Sequence, residues 1–229
     1  KEKKENKRKW KENKIQKKKK VKKTINPLKL LFDVLLEGNI EQSKIVTKTH
    51  KMDVNAKDNK GWCPFHHLIA KRCKPESITA ILACGGDVHT TTINELYTPL
   101  HIAVRYRNKE VIDMLLKHKA DVHSKDINDC TPLHAAAATN VAEIVETLLL
   151  HGADVTSTSK QGETPVFIAS KIGNGITLKT LLSIKGASIN TPSKNGNTPF
   201  SVALKNAHSS VLKVMKEHGI DLDQVTSSG

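Results

Sequence analysis

Apolar and polar positions recur along most of this chain with a helical period, and the helices they predict come in pairs. After a Thr-Pro step at Thr131-Pro132, small residues Ala135 to Ala138 form one run; beyond a polar break, Ile144, Val145, Leu148 and Leu149 mark one face of a second helix at i, i+1, i+4, i+5. Thr131 suits the position before the first turn, because its hydroxyl can accept from an unpaired amide, and Pro132 brings a preset φ where a missing N–H costs nothing. His151-Gly152 closes the second helix, the glycine taking the left-handed cap conformation. The stretch from Asp154 to Lys160, then Gln161-Gly162, reads as an extended finger with a turn. The predicted unit is helix, turn, helix, finger.

That unit repeats. The helix openings are CPFHHLIA from Cys63, TPLHIAV from Thr98, TPLHAAA from Thr131, TPVFIAS from Thr164 and TPFSVAL from Thr198, with prolines 35, 33, 33 and 34 residues apart. A second mark runs in phase: HKMDVNAKD from His50, CGGDVHT from Cys84, HKADVHSKD from His118, HGADVTS from His151, KGASINT from Lys185 and HGIDLDQ from His218. One unit cannot bury its own apolar face, so neighbours stacked in a row must share a core.

These residues resemble ankyrin repeats, whose consensus opens the first helix with T-P-L-H-x-A-A and places G-A-D-V after the second. The resemblance covers residues 27–229 and implies an all-α solenoid: stacked helix-turn-helix pairs with β-hairpin fingers along one edge. Six repeats follow, at about 27–58, 59–94, 95–127, 128–160, 161–194 and 195–229. The first lacks the T-P-L-H opening, yet PLKLLFDVLLEGN and IEQSKIVTKTH fit its two helices. In the last, Lys216 replaces an apolar residue, as a solvated end prefers, while Gly229 falls one period after Gly196, so a terminal cap and a further unit both fit. With Lys1 rather than Met at its start, the chain reads as a fragment or a processed product.

Charge divides the chain. Of its net +14, residues 1–24 carry +11, from 14 Lys/Arg and three Glu, and hold only three apolar residues, Trp10, Ile15 and Val21. Such a segment cannot bury a core. No apolar run approaches a membrane span or a signal peptide, and four cysteines without a C-x-x-C pair do not make a disulfide framework. The reading expects cytoplasm or nucleus. The segment contains Lys17-Lys18-Lys19-Lys20-Val21-Lys22-Lys23, which resembles a nuclear-import signal with Lys7-Arg8-Lys9 as an upstream half. It would equally serve as a low-complexity linker, as a weak, non-specific nucleic-acid contact, or as a contact to anionic lipid.

Eleven histidines raise the question of metal or general-base chemistry. His66, His101 and His134 share the fourth position of the opening motif, where the resemblance implies a ring that ties neighbouring units. His118, His151 and His218 end second helices, where a donor suits the negative pole. Cys63, His66, His67 and Cys73 are the best metal candidate, but Cys63 stands for the capping Thr and the two histidines face different sides of one turn, against the convergence zinc needs. Gly173-Asn174-Gly175 follows no strand and Glu143 and Glu146 fall on a solvated face; no nucleophile elbow, phosphate loop or cofactor motif occurs. The reading is non-enzymatic, without metal or cofactor.

The resemblance implies instead a scaffold or adaptor that grips a protein on its concave face, through finger tips and the late residues of first helices. At those positions stand Trp62, Lys71, Arg72, Tyr97, Arg105, Tyr106, Arg107, Lys125, Ile127 and Cys130. Three of the four Trp and Tyr residues fall there, and the +3 excess of the body lies wholly within residues 59–127. Aromatics beside arginine are the composition of interface hot spots, so the expected partner has an acidic surface and apolar anchors. Alternatively, the array is the targeting region of a larger multidomain enzyme or signalling protein. The resemblance also marks Asn55, in Asp53-Val54-Asn55-Ala56, as a hydroxylation candidate.

Overall fold

The Cys63-Pro64 step and four of the five Thr-Pro steps start helices; Thr191-Pro192 lies in a finger. The computed structural model describes residues 27–219, and the lysine-rich stretch, with Lys17–Lys20, Lys22 and Lys23, lies outside the described residues, as does Gly229. Among the described residues, twelve helices form six pairs: α1 (Pro27–Glu37) with α2 (Ile40–His50), α3 (Pro64–Ala70) with α4 (Pro75–Ala83), α5 (Pro99–Arg105) with α6 (Lys109–Lys117), α7 (Pro132–Ala137) with α8 (Ala142–Leu150), α9 (Pro165–Ile172) with α10 (Gly175–Leu182), and α11 (Pro199–Lys205) with α12 (Ser209–Glu217). First helices pack on one another in chain order from α1 to α11, and second helices make a layer behind them. None of the helices is long and apolar enough to cross a membrane.

The core runs through both layers. Leu68, Ile69, Leu100, Ile102, Leu133 and Ala136 come from first helices, and Ile78, Ile112, Leu115, Ile144, Val145 and Leu148 from second helices, all buried. Small residues between them, Ala103, Ala136, Ala137 and Ala169, let adjacent helices close up. The inter-helix turns need one left-handed residue each: Arg72, Arg107, Asn140, Gly173 and Ala207 all have positive φ.

A buried imidazole joins successive pairs. His134 Nδ1 accepts from the Thr131 N–H at 3.0 Å, so its Nε2 carries the proton and donates to the Glu163 carbonyl of the next repeat at 3.0 Å. His101 does the same with the Thr98 N–H at 3.3 Å and the Cys130 carbonyl at 3.1 Å. His66 accepts from the Cys63 N–H at 3.2 Å; its Nε2 is buried without a partner in good geometry, although backbone groups of Thr90 and Tyr97 lie near enough to act on its charge. The series stops there, because Phe167 and Ser201 occupy the next two positions. The last pair is held instead by Asn206 Nδ2 and His208 Nε2 donating to the Lys171 carbonyl, at 3.0 and 2.9 Å, and by Ser210 Oγ to the Gly173 carbonyl at 3.2 Å, all at exposed sites.

The fingers differ from the expected β-hairpins: among the described residues none forms a strand. The Asp58 finger closes on the bond from Asp58 N–H to Trp62 O at 2.8 Å, with one turn bond inside it, from Gly61 N–H to Asp58 O at 2.9 Å. The Asp126 finger closes likewise on Asp126 N–H to Cys130 O and Asp129 N–H to Asp126 O, both at 2.9 Å. The amides that would extend a ladder are taken by the finger's first side chain: Asp58 Oδ1 accepts from Lys60 and Trp62, and Asp126 Oδ1 from Asn128 and Cys130. One further bond links each finger to the next, from Ile93 N–H to Gly61 O, Ile127 N–H to Glu95 O, Lys160 N–H to Asn128 O and Lys194 N–H to Gln161 O.

Burial favours the neutral form of these three rings: it pushes His66 down to about 4 and lowers His101 and His134 from the ordinary imidazole value, with nearby backbone groups opposing. A depressed folded-state value means the unfolded chain binds these protons more readily, so stability is full above about pH 6.5 and falls as pH drops toward about 4. The urea midpoint should therefore already decline in the upper part of that window, between about pH 6.5 and 5, before carboxylates titrate. A flat midpoint there would contradict the bridge.

Candidate protein-binding face

The ends of the first helices and the bases of the fingers bound two hollows. The first, of about 430 Å³, is lined by Trp62, Tyr97, Ile102, Arg105, Tyr106, Arg107, Ala135, Ala138 and Thr139. Five residues singled out in the sequence meet there: Trp62 and Tyr97 from finger bases, Arg105 from the last turn of α5, Tyr106 and Arg107 from the turn after it. Arg105 places its guanidinium carbon 5.0 Å from the Tyr97 ring centroid, a cation–π contact that holds it in place. Tyr97 in turn lies 6.0 Å from the His101 ring, so the bridging imidazole supports the aromatic from behind. Tyr106 remains 38% exposed, an aromatic offered to solvent at the rim.

The second hollow, also about 430 Å³, lies between α1 and α3 and shares Trp62. Lys71, also singled out, lines it, with its ammonium 4.9 Å from the Phe32 centroid. His67 sits between aromatics, 5.4 Å from Trp62 and 6.3 Å from Phe32, and its Nε2 is 2.8 Å from Asp58 Oδ2. Burial opposes ionisation of Asp58, but the Trp62 N–H, the His67 ring and the Lys60 N–H together hold its carboxyl below the usual range. Leu28, Phe32 and Asp58 escaped the sequence reading, and His67 entered it only as a metal candidate. Phe32 and Leu28 belong to the unit without a T-P-L-H opening, where no register marks the late first-helix positions.

Arg72, Lys125, Ile127 and Cys130 line neither hollow. Arg72 takes the left-handed turn position after α3. Lys125 and Ile127 are exposed on the finger before α7, and Ile127 spends its N–H on the bond to Glu95. Cys130 is half-buried; burial and the carboxylates of Asp126, Glu163 and Asp129 push its thiol up to about 11.

The metal candidate separates. Cys63 Sγ faces His66 Nδ1 at 3.2 Å inside the core, His67 turns outward to Asp58, and Cys73 is buried with its thiol pushed up to about 11 by burial. Among the described residues no group of three or more metal-ligating side chains converges. Gly173-Asn174-Gly175 is the turn into α10, with Asn174 Nδ2 donating to the Ala137 carbonyl at 2.9 Å. Asn55 bridges repeats, its Nδ2 donating to Gly85 O and its Oδ1 accepting from the Asp87 N–H, both at 2.9 Å.

The family model for ankyrin repeats, three copies, matches residues 67–159 and again 133–226. The chain belongs to the ankyrin-repeat family. Ankyrin repeats are in general protein–protein interaction modules. This ankyrin array is similar, at 33% identity over 97 residues, to the human transient receptor potential cation channel subfamily A member 1, a match covering 42% of the chain and 8% of that protein. It is 30% identical over 101 residues to the phosphate system positive regulatory protein PHO81 of Saccharomyces cerevisiae, covering 44% of the chain and 9% of that protein. The putative ankyrin repeat protein FPV244 of Fowlpox virus is 34% identical over 109 residues, covering 48% of the chain and 16% of that protein. In each case the matched segment is a small part of the relative.

Proposed function

We propose that this ankyrin array is a non-enzymatic scaffold that holds a partner protein on the face formed by its first helices and fingers. The observation that carries the reading is the meeting of Trp62, Tyr97, Arg105, Tyr106 and Arg107 around one hollow, set on helix ends that the repeat stack keeps rigid. Aromatic and arginine side chains supply most of the energy at protein interfaces, and side chains already held in place lose little freedom on binding. Arg105 and Arg107 favour a partner surface with carboxylates, and the Trp62, Tyr97 and Ile102 walls favour apolar anchors. The similarity to segments of far longer proteins supports a second reading, in which the array is the targeting region of a larger polypeptide.

Arg105→Ala with Tyr106→Ala should weaken partner capture by about 2 kcal/mol or more, while circular dichroism and the melting temperature stay unchanged, because both side chains are exposed. Affinity of the captured partner, measured by titration calorimetry, checks this. Unchanged affinity in the double variant would place the site elsewhere.

A further inference from the structure

Two hollows of equal volume stand side by side with Trp62 as their common wall. One opens between α1 and α3 and the other between α5 and α7, so they are two helix spacings apart along the stack. At the usual 8–10 Å between packed helices this is roughly 16–20 Å, the reach of about five or six residues of extended chain. A space of 430 Å³ admits a side chain but not a helix, whose diameter with side chains is about 10–12 Å.

The walls and rims define what fits. Phe32, Pro64 and Trp62 give the hollow between α1 and α3 an apolar floor; Ile102, Ala135 and Ala138 do the same for the one between α5 and α7. Around them stand five cations, Lys29, Lys57, Lys71, Arg105 and Arg107. The one carboxylate in either lining, Asp58, is occupied by His67 and by two backbone N–H groups. Ion pairs among the described residues use Lys44, His67, Lys109 and Lys171, leaving the five rim cations without a carboxylate. Two of them, Lys71 and Arg105, are already posed over aromatic rings.

We propose that the two hollows together bind one extended acidic peptide segment that places an apolar anchor on each side of Trp62 and its carboxylates against the five cations. The inference rests on the protein-binding function proposed for this face, and adds the class of partner and the involvement of α1. A single nucleic-acid strand fits less well: the Trp62 ring is flanked by His66 and His67, at 5.9 and 5.4 Å, and aliphatic walls offer no platform for successive bases.

The test selects random displayed peptides against the full chain and measures the enriched sequences, as synthetic peptides, by fluorescence anisotropy. Enriched peptides should carry acidic residues around two apolar residues spaced by about five or six positions. Lys29→Glu with Lys71→Glu, both exposed side chains, should weaken binding about tenfold or more, as should Arg105→Ala with Tyr106→Ala. Circular dichroism monitors folding, and Lys29→Ala with Lys71→Ala, which carries no added charge, should act in the same direction. If only the Arg105 and Tyr106 variant loses binding, the two-hollow proposal falls and the protein-binding function stands. If neither does, the peptide sits elsewhere, such as on the lysine-rich segment, and both fall. Failure to enrich acidic peptides, or displacement of the peptide by a single-stranded oligonucleotide whose own binding is lost in the same variants, also overturns the proposal.

Discussion

His134→Ala is expected to destabilise the folded chain by about 3–5 kcal/mol. The ring is 2% exposed and serves two groups at once, the Thr131 N–H of its own repeat and the Glu163 carbonyl of the next. Its removal leaves a buried donor and a part-buried acceptor unpaired, costing about 1–3 kcal/mol for the first and less for the second, and adds a cavity. Because an array of repeats holds together through nearest-neighbour interfaces, the loss falls on the junction between the α7–α8 and α9–α10 pairs. Urea unfolding followed by circular dichroism should show a lower midpoint and a shallower main transition, as the two sides uncouple. A variant with wild-type midpoint and slope would remove the imidazole bridge from the account of stability.

Gly61→Ala should cost about 3 kcal/mol, against about 1 kcal/mol for Gly196→Ala. The comparison isolates packing from backbone conformation, since both glycines sit in finger turns with nearly equal φ, +79° and +77°. Leu96 and Asp129 adopt positive φ in other fingers, so conformation alone is tolerable there. A Cβ at Gly61 would lie 2.6 Å from Ile93 Cβ and 2.9 Å from Ile93 N, whereas one at Gly196 meets nothing within 4 Å. Ile93 N donates to Gly61 O at 3.1 Å, so the added methyl must break the bond that joins the two fingers. Paired thermal melts of the two variants give the difference directly; equal costs would mean that the fingers shift freely past each other. Such a shift would also disturb Trp62, the next residue.

The fold was open to reading because its strongest signals are local. A Thr-Pro step followed by an apolar run sets a helix start, which the polar Thr191-Pro192-Ser193-Lys194 does not, and repetition of that start at a nearly constant interval makes chance agreement untenable. Ile144, Val145 and Leu148 are buried where the apolar spacing placed them. The fingers were legible as turns but not in their bonding, since a side chain such as Asp58 can substitute for ladder partners without altering the polar character of the segment. At the site, Trp62, Tyr97 and Tyr106 stood out as rare residue types at register positions. Phe32 did not, because in α1 it is one apolar residue among many and no capping motif fixes which face it takes. The pairing of His67 with Asp58 was equally hidden: nine residues separate them, and only the closure of the finger onto α3 makes them neighbours.

The change of fastening between α9 and α11 gives the row a polarity. His101 and His134 rivet two junctions with rings that are almost wholly buried; at the α9–α11 junction the polar fastening is by amide, ring and hydroxyl groups that water wets and can replace one by one. The junction between α9 and α11 is therefore expected to open before the two that His101 and His134 hold, and the hollow lined by Tyr97 and Arg105 keeps its shape while it does.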